Sequence, residues 1–336
     1  MRYLIPAMTA VLCWCGSFTC RGQDIYVSSS AGVGEYSLTT GSAVAGFTPI
    51  AGQASAVASS DGDLFVANQE QATVEEYNGE TGSPILSFDI AGGWGSDLEG
   101  LAASGNDLYV ANGQEVFEFD ATTGDVVSGF NLSGASLDAQ RLAISAGYLY
   151  VATTSPNLMS NYVNVYNATT GASVTTALLS SGSLNIAWSG LALSGTDLFA
   201  VYTNGAFDPT TIGEYNANSG LVISSSFASG YDVPVSIVTS GTALYVANAK
   251  GATSVEEFNT ATGARVSGFT APADLTGVNG IALTTIPEPG AMTFLVLGLV
   301  AILLELGFRR RNIFNLRHIV LGGLSREKSP ASRAPA

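Results

Sequence analysis

One short unit recurs six times along this chain, and that recurrence limits the fold more than any other feature. Its core reads Asp24-Ile25-Tyr26-Val27, Asp63-Leu64-Phe65-Val66, Asp107-Leu108-Tyr109-Val110, Tyr148-Leu149-Tyr150-Val151, Asp197-Leu198-Phe199-Ala200 and Ala243-Leu244-Tyr245-Val246. Runs rich in β-branched and aromatic residues fit pleated sheets, so each core is a strand. A second strand follows each: Val33–Tyr36, Val74–Tyr77, Val116–Phe119, Val163–Tyr166, Ile212–Tyr215 and Val255–Phe258. A turn then ends in Gly41, Gly82, Gly124, Gly171, Gly220 or Gly263, each preceded by Thr or Ser. Glycine there supplies the positive φ of a tight turn. A third strand comes next, as in Val126–Phe130 and Arg265–Phe269. A fourth precedes each Leu-Tyr-Val core at a constant offset, as in Gly100-Leu101-Ala102 and Gly190-Leu191-Ala192.

Four short strands in every forty to fifty residues, roughly, make one propeller blade. The first copy begins directly at Asp24 and lacks the leading strand, while a spare one, Gly280-Ile281-Ala282-Leu283, follows the last copy. The spare strand can complete the first blade and close the ring, which removes sheet edges that would otherwise aggregate. The expected fold is therefore all-β: a six-bladed β-propeller over residues 23–286, closed by a C-terminal strand. The Leu-Tyr-Val-Ala-Asn form at Leu108–Asn112 and Leu244–Asn248 resembles the YVTN/NHL-like propeller repeats. That resemblance implies a fold and no activity.

The two ends read as addresses. Arg2 precedes the apolar run Tyr3–Trp14, and small and polar residues follow. This is a secretory signal pattern over residues 1–22, with the cut placed near Cys20–Gln23. All three cysteines, Cys13, Cys15 and Cys20, fall inside it, so the mature chain has no thiol and no disulfide. Near the other end, Pro287-Glu288-Pro289 is followed by the apolar run Ala291–Phe308 and then by Arg309, Arg310 and Arg311. Eighteen residues are near the lower limit for a membrane-spanning helix. Its one charge, Glu305, lies near the end, and arginines beside a span mark the cytoplasmic side. The prolines hold Glu288 on a stiff extended handle at the outer surface. The arrangement over 287–311 resembles the PEP-CTERM sorting signal of Gram-negative bacteria. The resemblance implies an exosortase-type membrane protease as partner and a cell-surface or extracellular destination. The chain departs from that pattern in continuing through 312–336, a basic tail expected in the cytoplasm.

Composition excludes several function classes. Between Gln23 and Ile286 there are 24 acidic side chains against three basic ones, Arg141, Lys250 and Arg265. Such a surface repels nucleic acid and anionic lipid, and suits solubility or contact with neutral or cationic partners. The single histidine, His318, lies beyond the apolar run. Without histidine or cysteine the propeller has no Ser-His or Cys-His nucleophile pair and no histidine zinc site. No phosphate-cradling glycine loop and no EF-hand loop is present. Carboxylates, alone or on a hard cation such as Ca²⁺, are the remaining catalytic option.

Propellers bind ligands where the innermost strands enter the central channel. Counting back from each Leu-Tyr-Val core, the strand starts are Ser55, Glu99, Gln140, Ser189, Val235 and Asn279. Five are polar and form the candidate channel mouth. The loops leading into these strands carry Trp94, Trp188 and Tyr231, aromatic faces suited to sugar rings. For Trp188 burial between blades is the preferred reading. Glu35, Glu76, Glu118, Glu214 and Glu257 recur at one strand position, with Val165 in the sixth place. Repetition of the unit accounts for that pattern without a functional ring. Two functions are expected in order. The first is a non-enzymatic surface propeller that binds polysaccharide or surface proteins and needs no cofactor. The second is a carboxylate- or Ca²⁺-dependent lactonase, lyase or hydrolase built on Glu99 with Asp97 or Asp138. Gluconolactonase-type propellers use a similar region, but their other motifs are not found here.

Overall fold

The computed structural model describes residues 23–284 apart from 91–97, 114, 134–137, 154–160, 181–185, 205–209, 230–232, 250–254, 270–271, 273–274 and 276. The signal segment, the Pro-Glu-Pro motif with its arginines, the apolar run and the basic tail lie outside the described residues. Among the described residues 23 strands form six antiparallel sheets. Blade 1 joins β1 (Asp24–Ser29), β2 (Gly32–Ser37) and β3 (Ile50–Ala51) to the last strand, β23 (Val278–Leu283). Blade 2 is β4 (Ala56–Ser60) to β7 (Pro84–Asp89), with β5 (Asp63–Asn68) and β6 (Thr73–Asn78) between. Blade 3 is β8 (Gly100–Ser104), β9 (Asp107–Ala111), β10 (Glu115–Asp120) and β11 (Val126–Ser133). Blade 4 is β12 (Ala139–Ser145), β13 (Tyr148–Thr153), β14 (Tyr162–Asn167) and β15 (Ser173–Ser180). Blade 5 is β16 (Ile186–Ser194), β17 (Asp197–Asn204), β18 (Thr211–Asn216) and β19 (Val222–Ser224). Blade 6 is β20 (Pro234–Ser240), β21 (Ala243–Asn248) and β22 (Val255–Asn259).

β23 closes the ring as the repeat predicts. Ile25, Tyr26 and Val27 pair with Leu283, Ala282 and Ile281 of β23. The innermost strands β23, β4, β8, β12, β16 and β20 then neighbour one another in a closed circle. The core lies between blades rather than within them. Because side chains alternate along a strand, Leu108 and Val110 pack towards blade 2, while Tyr109 and Ala111 pack towards blade 4. A strand buried on both faces must be apolar at successive positions, which is why each repeat carries an unbroken apolar triplet of the Leu-Tyr-Val kind. Some of the aromatics also tie blade to blade. The Tyr26 hydroxyl donates to Gly79 O at 2.9 Å, Tyr109 to Ala168 O at 3.0 Å, and Tyr150 to Ala217 O at 3.4 Å.

One expected strand is missing. Arg265–Phe269 does not form a ladder. It retains an isolated bridge between Arg265 and Phe258 and a hydrogen bond from Val266 N to Glu257 O. Gly268, at φ 98°, turns the chain off the sheet, and Phe269 folds back onto Tyr245 with ring centroids 5.7 Å apart. Gly129, at φ 99°, occupies the same place in blade 3. There the register breaks and pairing resumes at Asn131.

Candidate functional site

The innermost strands enclose a channel cavity of about 720 Å³. Its chemistry depends on how each strand begins. In four blades the first residues do not follow regular pairing. Gln140 is skipped between Ala139 and Arg141, Ser189 between Trp188 and Gly190, Val235 between Pro234 and Ser236, and Asn279 between Val278 and Gly280. Each is a β-bulge, which leaves one residue unpaired and re-aims its neighbours. In blades 2 and 3 the equivalent residues, Ser55 and Glu99, sit just ahead of strands that pair without a break.

The bulges sort the predicted mouth residues. Ser55, Glu99 and Asn279 line the channel. Gln140 and Ser189 do not, and in their blades the lining begins with Arg141 and Gly190. Ser236 rather than Val235 lines it in blade 6. The predicted residues also hold neighbouring blades together. Asn279 Nδ2 donates to Ala54 O at 3.1 Å, and Ser189 Oγ to Pro234 O at 3.3 Å. Ser55 Oγ donates within its own blade to Ala67 O at 3.2 Å.

Arg141 is the residue that counting along the sequence passed over. Its guanidinium spans three blades. Nε donates to Ser189 O at 3.0 Å, and Nη1 to Glu99 O at 2.7 Å and Gln140 O at 2.9 Å. Nη1 lies 3.6 Å from Glu99 Oε2, an ion pair whose side chains are 28% and 39% exposed. Desolvation by the surrounding strands lowers the Arg141 pKa, and the nearby Glu99 charge partly offsets this. An arginine remains charged under such a shift. Among the described residues, Arg141 and Glu99 are the charged residues of the channel lining. Below them the wall is aliphatic, with Val57, Leu101, Leu142, Leu191, Ile237 and Ile281 contributing one residue from each blade.

The aromatic candidates divide differently. Trp188 is 4% exposed and packs edge-to-face on Tyr202, centroids 5.8 Å apart, in the core between blades 4 and 5. Trp94 and Tyr231 lie outside the described residues, as does Asp97. The repeated glutamates face neighbouring blades. Glu118 lies opposite Tyr109 and Glu76 opposite Phe65, and none of the five lines the channel. Glu35 is 1% exposed, Glu76 and Glu118 5% each and Glu214 9%. Burial first, and then Asp63 or Asp107, raises Glu76 and Glu118 to about 7. Glu214 is raised by burial and by Asp197, and Glu257 by burial. Among the described residues no three His, Cys, Asp or Glu side chains gather as a metal-holding group.

No protein-family model matches the chain, and no curated protein is similar to it. Solved structures are similar in fold. A chain of the nidogen/laminin complex is 14% identical, covering 79% of this chain and 99% of its own, with a TM-score of 0.59. A chain of hydrazine synthase from Kuenenia stuttgartiensis is 14% identical, covering 71% of this chain and 74% of its own, with a TM-score of 0.55. This is a six-bladed β-propeller. At such identities the likeness concerns architecture alone, so function has to be argued from the channel.

Proposed function

We propose that this chain is an exported propeller that binds a ligand at the channel mouth without transforming it, serving adhesion or contact with an extracellular polysaccharide matrix or surface protein. In this reading the YVTN/NHL-like repeats supply the scaffold. The Pro287–Arg311 segment, as a PEP-CTERM-type address, delivers the protein through an exosortase to the cell surface. The observation that carries the binding reading is the pairing of Glu99 with Arg141 at 3.6 Å. A hydrolase of the carboxylate type needs two carboxyl groups flanking one bond, about 5–10 Å apart. Among the described residues the channel lining sets Glu99 beside the Arg141 guanidinium, whose Nε and Nη1 are occupied by backbone carbonyls. Polar groups above an aliphatic wall, in a cavity of about 720 Å³, are the features of a pocket for a small polar ligand or chain end.

Two measurements test this reading. Full-length protein is applied to arrays of extracellular polysaccharides and to fractionated surface proteins, with turnover assayed on whatever binds. Retention without bond cleavage is the expected result, and cleavage or ring-opening of a bound lactone or glycan would refute the non-enzymatic reading. Intact mass and fractionation in the native host test the address. A mature chain ending near Pro287–Pro289 on the surface is expected, and a full-length chain held in the inner membrane would overturn it.

A further inference from the structure

We infer that the channel mouth selects a monoanionic hydroxylated ligand, a sugar acid, through Nη2 of Arg141; this rests on the binding role proposed above. The donor inventory of the site leads there. An arginine offers five N–H donors. Nε and Nη1 are engaged with three carbonyls from three consecutive blades. Among the described residues Nη2 has no hydrogen-bond or ion-pair partner, although the side chain is only 28% exposed. Glu99 Oε2, at 3.6 Å, is too far for a hydrogen bond to Nη1. A half-buried guanidinium with an unused N–H₂ group, facing a cavity in which it is the one cation among the described residues, is a receptor for an oxyanion.

The remaining lining narrows the ligand. Asn279 spends Nδ2 on Ala54 O, so its Oδ1 is left to accept a hydrogen bond. Ser55 Oγ donates to Ala67 O and can still accept one. Ser236 Oγ accepts from Ile281 N at 3.3 Å, leaving its hydroxyl hydrogen to donate. These groups suit several hydroxyls beside the anionic one. The aliphatic wall beneath suits the C–H face of a pyranose. Charge then separates carboxylate from phosphate. Glu99 stands beside the guanidinium, so one added negative charge is tolerated, whereas a dianion would be repelled. The acidic exterior does not cancel the site, because exposed charges beyond about 8 Å are largely screened at physiological salt.

The test uses full-length chain in detergent micelles and ligand-observed NMR titration of four probes: D-glucuronate, its neutral isostere D-glucuronamide, D-glucose and glucose 6-phosphate. Glucuronate is expected to bind at least about tenfold more tightly than the amide, the loss typical of one charge-assisted hydrogen bond. Arg141→Gln should abolish that preference. Because Arg141 also ties three blades together, Glu99→Gln is the decisive variant: it keeps the guanidinium and removes its counter-charge. Glucuronate should then bind about three- to tenfold more tightly. Equal affinity for acid and amide, tighter binding of the phosphate, or weaker glucuronate binding in Glu99→Gln would each overturn the inference. A chain that binds only neutral glycans refutes the sugar-acid selection while leaving the binding role intact. A chain that binds no probe and nothing on the polysaccharide or surface-protein screens refutes both.

Discussion

The buried glutamates between blades should make this propeller more stable in mild acid than at alkaline pH. Glu76 and Glu118 are each 5% exposed, and each has one carboxylate oxygen without a hydrogen-bond partner. Asp63 and Asp107, two residues before the facing Phe65 and Tyr109, repel them. Both glutamates rise from an ordinary value of 4.5 to about 7. A carboxyl group whose folded pKa is raised binds its proton more tightly in the folded state. Its contribution to stability is therefore complete below the unfolded value and is lost as pH climbs through the folded one. At 1.36 kcal/mol per pKa unit the ceiling is about 3 kcal/mol per glutamate. Asp107 is exposed and Asp63 half-buried, so solvent screens part of the repulsion, and about 1–2 kcal/mol per site is the working figure. The two together give about 2–4 kcal/mol between pH 5 and pH 8.

Urea denaturation of the full-length chain at pH 5, 6, 7 and 8, followed by tryptophan fluorescence with Trp188 as a buried reporter, measures this directly. The window is favourable because the propeller has no histidine to titrate in it. General charge repulsion in so acidic a chain has the same sign, and the Glu76→Gln/Glu118→Gln double variant separates the two effects. It should flatten most of the slope and gain about 2–4 kcal/mol at pH 8, with little change at pH 5. A wild type equally stable at pH 5 and pH 8, or a double variant with an unaltered slope, would refute the argument.

Three further outcomes follow from the packing between blades. Tyr109→Phe removes the hydroxyl that reaches Ala168 O and should cost about 0.5–1.5 kcal/mol in urea unfolding without changing the fold, since Phe65 and Phe199 already fill the equivalent place. Gly263→Ala should cost at least about 2 kcal/mol by the same assay, because a Cβ there would stand 1.9 Å from Phe227 O of the preceding blade's segment, at φ +65°. A chain ending before Val278 loses the burial of Val278, Ile281, Ala282 and Leu283. At about 1.5–3 kcal/mol for each large apolar side chain, that loss rivals the whole stability of a domain. Loss of a single cooperative transition and gain of concentration-dependent aggregation are expected, and an unchanged melting profile would show that ring closure is not required.

Blade number and closure are legible in the sequence because they depend on period alone. Each repeat must bury both faces of its core strand, so an unbroken apolar triplet of the Leu-Tyr-Val kind recurs, and the unmatched strand at Gly280–Leu283 has one vacant sheet edge to fill. The channel mouth is less legible because it depends on register. Counting at a fixed offset lands on Gln140, Ser189, Val235 and Asn279, which are the residues that the bulges leave unpaired. One step along, the lining changes from Gln140 to Arg141 and from Val235 to Ser236. A signal for Arg141 was nonetheless present: it is one of only three bases between Gln23 and Ile286, and it falls within the innermost strand β12. The glutamates follow the same logic in reverse. Glu118 lies two residues after Val116, so alternation puts it on the same buried, blade-facing side, and the repeated carboxylate belongs to the seam between blades.

The same polar groups that join the blades also furnish the mouth, and this explains how little of the site's chemistry is left over. Asn279 Nδ2, Ser189 Oγ and two nitrogens of Arg141 bond to carbonyls of neighbouring blades or of the adjoining strand. A group engaged in this way is held rigidly, and a rigid site loses less freedom when a ligand arrives. What remains for the proposed ligand is Nη2 of Arg141, Oδ1 of Asn279 and the hydroxyl hydrogen of Ser236. Substitutions at the mouth should therefore move stability and affinity together, and least so at Glu99, whose carboxylate stands 3.6 Å from the guanidinium, beyond hydrogen-bond distance. Removal of that one charge is the change that can alter recognition while leaving the ring closed.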